Sequence, residues 1–141
     1  IRQIARPVMM ELAQQAGETV TLNIADGHDR VCIEVIDTPS PLMHITKPGE
    51  HVRLVDGATA KTLMAYLPDD EQRKAIAYAV KASGGARSEL IAELKRIRRQ
   101  EYAVTHGERV LGLTAVSAPI RDMSNEVLYC ITITGPTVRM R

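Results

Sequence analysis

Two short segments constrain this chain more than anything else in it. Residues 19–25 read Thr-Val-Thr-Leu-Asn-Ile-Ala and residues 131–134 read Ile-Thr-Ile-Thr, polar and apolar in alternation. A period of two sends successive side chains to opposite sides of an extended strand. Each segment therefore belongs in a sheet with one face covered. Asp26, Gly27, His28 and Asp29 are turn formers, and residues 30–36 return as the second strand of a hairpin. The Pro39-Ser40-Pro41 stretch ends it, because proline cannot supply the ladder's N–H.

What covers the sheet must be aliphatic. Phe and Trp are absent and Tyr occurs 4 times, so the core is left to Val, Ile, Leu, Met and Ala. The same absence argues against base-stacking platforms for nucleic acid. At 141 residues the chain is one domain, large enough to bury a core without disulfides or a structural metal. Hydrophobic residues at 45% and charged residues at 25% exclude intrinsic disorder. A net charge of +1 argues against a strongly basic nucleic-acid surface in this piece. No apolar run approaches the roughly 20 residues that cross a bilayer, and no secretory signal opens the chain. The first residue is Ile1 rather than Met, so the expectation is a fragment of something longer. Cys32 and Cys130 lie far apart in β-branched runs and read as buried, reduced thiols of a cytosolic protein.

Helices account for most of the remainder. Ile4, Val8, Leu12 and Ala16 repeat every four residues, with Met9 and Ala13 beside them, and predict a helix over 4–16 closed by Gly17. Pro7 fits near the start of such a helix, where its missing N–H costs least. Residues 42–45 and 52–55 are candidate edge strands. Ala60, Leu63, Met64 and Leu67 mark a helix ended by Pro68. Asp69, Asp70 and Glu71 place carboxylates in the first turn of the next, which Ser83-Gly84-Gly85 breaks. Leu90, Ile91, Leu94 and Ile97 share one face of a helix over 88–101, and Lys95, Arg96, Arg98 and Arg99 crowd its last turns. Three strands follow, at 102–105, 111–118 and 127–134, with a turn at 122–125. The order predicts an α+β domain, one antiparallel sheet with helices packed against it.

Chemistry is sparse in this pattern. His28, His44, His51 and His106 pair with nothing at metal-ligand spacing. No phosphate loop, dinucleotide fingerprint or Gly-x-Ser-x-Gly occurs. Asp69, Asp70 and Glu71 read as helix-start acids rather than a cation site, and the run from Lys95 to Arg99 as a solvated helix end. One arrangement stands apart. The alternation places Thr132 and Thr134 on one face of their strand, and neighbouring Leu113 and Ala115 on that face would complete a small concave site. Gly57-Ala58, opening a helix, could add backbone N–H groups and a positive dipole end, a combination suited to a small carboxylate. On spacing alone, solvent-facing threonines are the simpler reading.

The chain resembles the C-terminal effector-binding domain of IclR-family bacterial transcription regulators along essentially its whole length. The resemblance rests on Ala5-Arg-Pro7 with Leu12-Ala13; Gly17-Glu-Thr-Val20; Gly57-Ala58 with Lys61 and Leu67-Pro68; and Ile97-Arg98 before Tyr102-Ala103. Its most specific part is Glu108-x-x-x-Gly112, then Ala118-Pro-Ile120 and Gly135-Pro136. It implies a GAF-like curved antiparallel sheet flanked by helices, with residues 1–141 as an effector-binding and oligomerisation domain. The family's N-terminal winged helix-turn-helix, which binds operator DNA, is not in these residues. It implies a small organic-acid-like effector held by Gly57, Ala58, Thr105, Leu113, Ala115, Thr132 and Thr134, with Met43 and Ile45 lining a covering loop. It implies no catalysis, cofactor or metal, and a cytoplasmic homodimer or homotetramer. Departures from the family pattern are Ala60 for a second glycine, Arg53 and Val55 where Pro and His are frequent, and Thr105 where an acid can occur. An anionic effector would then rely on N–H groups and the helix dipole, or on Arg53 or His44 folding over it. Two other readings stay open. One is a scaffold domain with a vestigial pocket; the other is a small enzyme using Cys130 or Glu108.

Overall fold

A computed structural model describes residues 2–27, 29–37, 48–108, 112–121 and 127–138. The expected edge strand at 42–45 with Met43, His44 and Ile45, the turn at 122–125, and His28 lie outside them. The elements are α1 (Arg2–Ala16), β1 (Thr19–Asp26), β2 (Asp29–Ile36), β3 (His51–Arg53), α2 (Ala58–Ala65), α3 (Asp69–Ser83), α4 (Arg87–Gln100), β4 (Ala103–His106), β5 (Leu113–Arg121) and β6 (Val127–Pro136). The architecture is α+β, as the order of patterns predicts.

The six strands form one curved antiparallel sheet in the order β3-β2-β1-β6-β5-β4. The two alternating segments are neighbours: β1 pairs along β6, with Thr19 opposite Thr134 and Thr21 opposite Thr132. Asp26 faces Asp29 across the hairpin turn, where Gly27 takes φ 61°, a left-handed conformation glycine adopts without a Cβ penalty. The hairpin carries a bulge. Leu22 faces Glu34 but Asn23 faces Cys32, so Ile33 is the extra residue. A bulge flips the strand's facing. Arg30 donates across one face to Asn23 Oδ1 at 3.0 Å, while Glu34 turns to the other and pairs with Arg6 of α1 at 3.2 Å.

Each face is covered by its own apolar cluster. α1 packs Ala5, Met9 and Ala13 on Val20 and Leu22. α2 covers the opposite face, with α3 and α4 packed against it; Leu54 ahead of α2 joins Leu63, Met64, Ala75, Ile76, Leu94 and Ile97 in this cluster, and Cys130 reaches it from β6. With no Phe or Trp, methionines do the filling: Met9 and Met64 are wholly buried. The expected face of α1 needs correction. Ile4 is 76% exposed and Val8 51%, because the adjacent Ala5-Met9-Ala13 stripe faces the sheet instead. Both stripes have i,i+4 spacing, and the two alanines let the helix approach more closely than a stripe of β-branched residues would. Pro7 is also further inside than expected. α1 starts at Arg2, so the ring removes a ladder bond from the helix interior.

Both cysteines are buried thiols outside any disulfide, as the β-branched runs predict. Asn23 pairs with Cys32 on one side and Cys130 on the other, so two strand spacings, about 9–10 Å, separate the cysteines. That is beyond disulfide reach. Burial pushes the Cys32 thiol up to about 11 and raises that of Cys130.

Candidate functional site

The strand register builds the site in transverse rows on the face that α2 covers. One row runs Thr19, Thr134, Ala115, Thr105 across β1, β6, β5 and β4. The next runs Thr21, Thr132, Ser117, Ala103, and Leu113 with Pro136 lies beyond the first on the other side. The structure thus brings Thr105, Leu113, Ala115, Thr132 and Thr134 onto one face, as the sequence predicts for four of them.

The two threonines of β6 differ in situation. Thr132 is 2% exposed; its hydroxyl lies 2.6 Å from Thr59 Oγ1 on α2 and donates to Ser117 Oγ at 3.0 Å. The Cys130 thiol is in hydrogen-bonding reach of both Ser117 and Thr132. Thr132 therefore pins α2 to the sheet, whereas Thr134 is only half-buried. Neither is the solvent-facing residue of the simpler reading. Thr19, missed by sequence reasoning, shares the row of Thr134; it is 1% exposed and its Oγ1 has no hydrogen-bond partner among the described residues. Thr62 Oγ1 on α2 and Tyr66 OH are likewise buried with no partner among the described residues, so Thr19 is set apart by its place in the row rather than by lacking a partner. The alternation of Thr19 with Thr21 was the signal that could have found it.

The wall of the site is the start of α2. Gly57 caps the helix at φ 92°, ψ 159°, backbone that disfavours any residue with a Cβ. Its N–H is not free, as the sequence reading supposed. Glu108 Oε1 accepts it at 3.1 Å, and the same oxygen sits 2.6 Å from Lys61 Nζ, one turn along the helix. Lys61 Nζ is also 2.9 Å from Glu93 Oε1 on α4. Burial works against the Lys61 charge, but the two glutamates outweigh it and hold its pKa above the ordinary lysine value. Nothing in the pattern of α4 singles out Glu93. The first-turn N–H groups of Ala58, Thr59 and Ala60 have no acceptor within the helix.

Of the other expected groups, Arg53 pairs with Asp29 at 3.4 Å and lies over the Tyr78 ring, away from this wall. Two surface clefts lie elsewhere. One of about 670 Å3 runs along α1 past Met10, Gln14 and Ile36; one of about 340 Å3 sits between Gly27, Leu67 and Lys74. Neither is lined by the threonine rows, and the hydroxyls and backbone donors of α2 carry more recognition chemistry than either. Among the described residues, no three His, Cys, Asp or Glu side chains gather as metal ligands would. Among them, no helix is long and apolar enough to cross a membrane.

Comparison with known proteins agrees with the fold. The family described as bacterial transcriptional regulator IclR, C-terminal, matches residues 1–141. The chain is 29% identical over 140 residues to the HTH-type transcriptional regulator KipR of Bacillus subtilis, covering 96% of the chain and 56% of that protein. It is 28% identical over 141 residues to the HTH-type transcriptional regulator BhcR of Paracoccus denitrificans, covering 96% and 50%. The chain thus spans about half the length of these relatives. The crystal structure of Thermotoga maritima IclR superposes with a TM-score of 0.87 at 25% identity, over 97% of this chain and 57% of that one. These relatives bear the names of transcriptional regulators rather than enzymes. A whole-length family match and a shared curved sheet, with Gly57, Lys61 and Glu108 among the residues that carry the likeness, place this chain in the IclR family of bacterial transcriptional regulators, as a C-terminal domain.

Proposed function

We propose that this domain is the cytoplasmic, non-catalytic sensor of a DNA-binding regulator, and that it binds a small organic-acid-like metabolite against the Thr19–Thr134–Ala115–Thr105 row. The observation that carries the reading is the unpartnered Thr19 hydroxyl, buried beside Thr134 on the face that α2 covers. Thr105 and Leu113 extend the row's floor, Gly57 and Ala58 form its wall, and Met43 and Ile45 are assigned to its cover. Hydroxyls both donate and accept, so such a floor suits a hydroxylated or oxo acid. Operator DNA is bound by a separate N-terminal domain, and the whole protein works as a homodimer or homotetramer. The exposed Ile4, Val8 and Met10 of α1 support an assembly role for that helix. Effector binding then favours one assembly or domain orientation, with a coupling of about 1–3 kcal/mol.

A thermal-shift screen of the 141-residue domain against small organic and sugar acids tests this. A ligand at about 100 times its Kd adds about 2.7 kcal/mol of stability, a shift of several degrees. The shift should vanish in Thr134→Val, which spares the Thr132–Thr59 tie. Silence across a broad panel, or a shift indifferent to Thr134→Val, refutes the reading.

A further inference from the structure

The sheet carries a buried cation to which the sequence reading assigned no role. Arg30 is 6% exposed and donates to Asn23 Oδ1 at 3.0 Å; Asn23 Nδ2 in turn donates to Thr21 Oγ1 at 3.1 Å. Chemistry fixes the direction of this chain. A guanidinium only donates, so the Asn23 carbonyl must face it and the amide nitrogen must face Thr21. Thr21 accepts, and its own proton is left to give away. Among the described residues the bond from Asn23 is the one that Thr21 Oγ1 makes, although the residue is 4% exposed. A buried hydroxyl is thus held as a donor with no acceptor in view.

Thr21 lies opposite Thr132, whose hydroxyl touches Thr59 of α2, so it is on the face that α2 covers. Thr19, two residues back along β1 and opposite Thr134, shares that face. Two residues of strand span about 6.8 Å, a distance that one carboxylate with a hydrogen bond of about 2.7 Å to each oxygen bridges.

We propose that Thr21 and Thr19 form the carboxylate subsite of the effector site, with Arg30, acting through Asn23, as the positioning residue that holds Thr21 as a donor. This subsite rests on the sensor reading above and adds what reads the acid. The start of α2 is spent elsewhere, since Glu108 takes the Gly57 N–H and pairs with Lys61. Hydrogen bonds to an ionised acceptor are about twice as strong as neutral ones, so a fixed donor favours an acid over its amide. The amide's own N–H gains little from Thr21, whose oxygen Asn23 already engages.

The test titrates a panel of 2-hydroxy and 2-oxo acids, each paired with its primary amide, into wild type, Thr21→Val, Thr21→Ser, Arg30→Met, the Thr21→Val/Arg30→Met double variant and Thr134→Val. No substitution introduces a charge that could repel the ligand. Thr21→Val should weaken acid binding about tenfold and amide binding about threefold, and Thr21→Ser should restore both. Arg30→Met should weaken the acid to a similar degree. The double variant should lose no more than Thr21→Val alone, because a relay has a single outlet. Losses that multiply in the double variant mean that Arg30 acts by its field, and overturn the relay. If Arg30→Met does not fold, Asn23→Ala breaks the relay with the Arg30 charge in place, and unchanged acid binding there overturns it. Acid binding unchanged in Thr21→Val overturns the subsite; where Thr134→Val still abolishes that binding, the sensor reading stands. No binding of any compound to wild type overturns both.

Discussion

Replacing Thr132 by Val removes one hydroxyl at nearly constant volume and tests whether that hydroxyl holds α2 on the sheet. Its partners, Thr59 and Ser117, are 6% and 0% exposed, so water replaces nothing that is lost. A buried polar group stripped of its partner costs about 1–3 kcal/mol. Ser117 keeps the Cys130 thiol within reach, so Thr59 bears most of the loss. The expected destabilisation is therefore about 2–3 kcal/mol. With 141 residues at ~2.1 cal/mol/K each, the unfolding entropy is about 0.3 kcal/mol/K, so Tm should fall by about 7–10 °C. Urea unfolding of Thr132→Val, Thr59→Val and the double variant separates the contact from the individual hydroxyls. The double variant leaves neither Thr59 nor Thr132 with an unpaired hydroxyl, and should cost about 1 kcal/mol less than the sum of the singles. A single-variant loss below about 0.5 kcal/mol, or strict additivity, would refute the claim that this contact anchors the helix.

Three further outcomes follow from the packing. Met9→Ala should cost about 2–5 kcal/mol while Val8→Ala stays within about 0.5 kcal/mol, because only Met9 faces the sheet; denaturant midpoints decide, and equal costs would contradict the rotation of α1. Gly57→Ala forces a Cβ onto backbone at φ 92° and should cost about 1–3 kcal/mol in the same assay; a neutral result would mean that the cap relaxes freely. Cys32 titrates at 9.0 when unfolded and about 11 when folded, so the native state keeps its proton over that range. Its stabilisation is complete below pH 9 and is lost as pH rises toward 11, about 1.4 kcal/mol per pH unit at most. Urea melts at pH 8.5 and 10.5 should show this decline, shallower in Cys32→Ala; an equal slope in both proteins would remove Cys32 as a cause.

Much of this molecule was legible in one dimension because its elements are strongly periodic. The alternation at 19–25 and 131–134, the carboxylates that open α3 and the Ser83-Gly84-Gly85 break each act within a few residues, and each element lies where those local rules put it. The α+β class and the common face of Thr132, Thr134 and Ala115 follow from strand periodicity once the strands are adjacent. Tertiary structure decided what depends on distant partners. Both stripes of α1 obey helical spacing, and only the fit of Ala5 and Ala13 against Val20 and Leu22 chose between them. The bulge at Ile33, which turns Glu34 toward Arg6, leaves no mark in a run of β-branched residues. The expected N–H of Gly57 was claimed by a carboxylate 51 residues away, and Thr59 and Glu93 acquired their roles only when α2 met the sheet and α4. Periodicity is a property of neighbours in the chain. Which hydroxyl is pinned, which is orphaned and which carboxylate takes the Gly57 N–H are properties of neighbours in space, where burial makes each contact consequential.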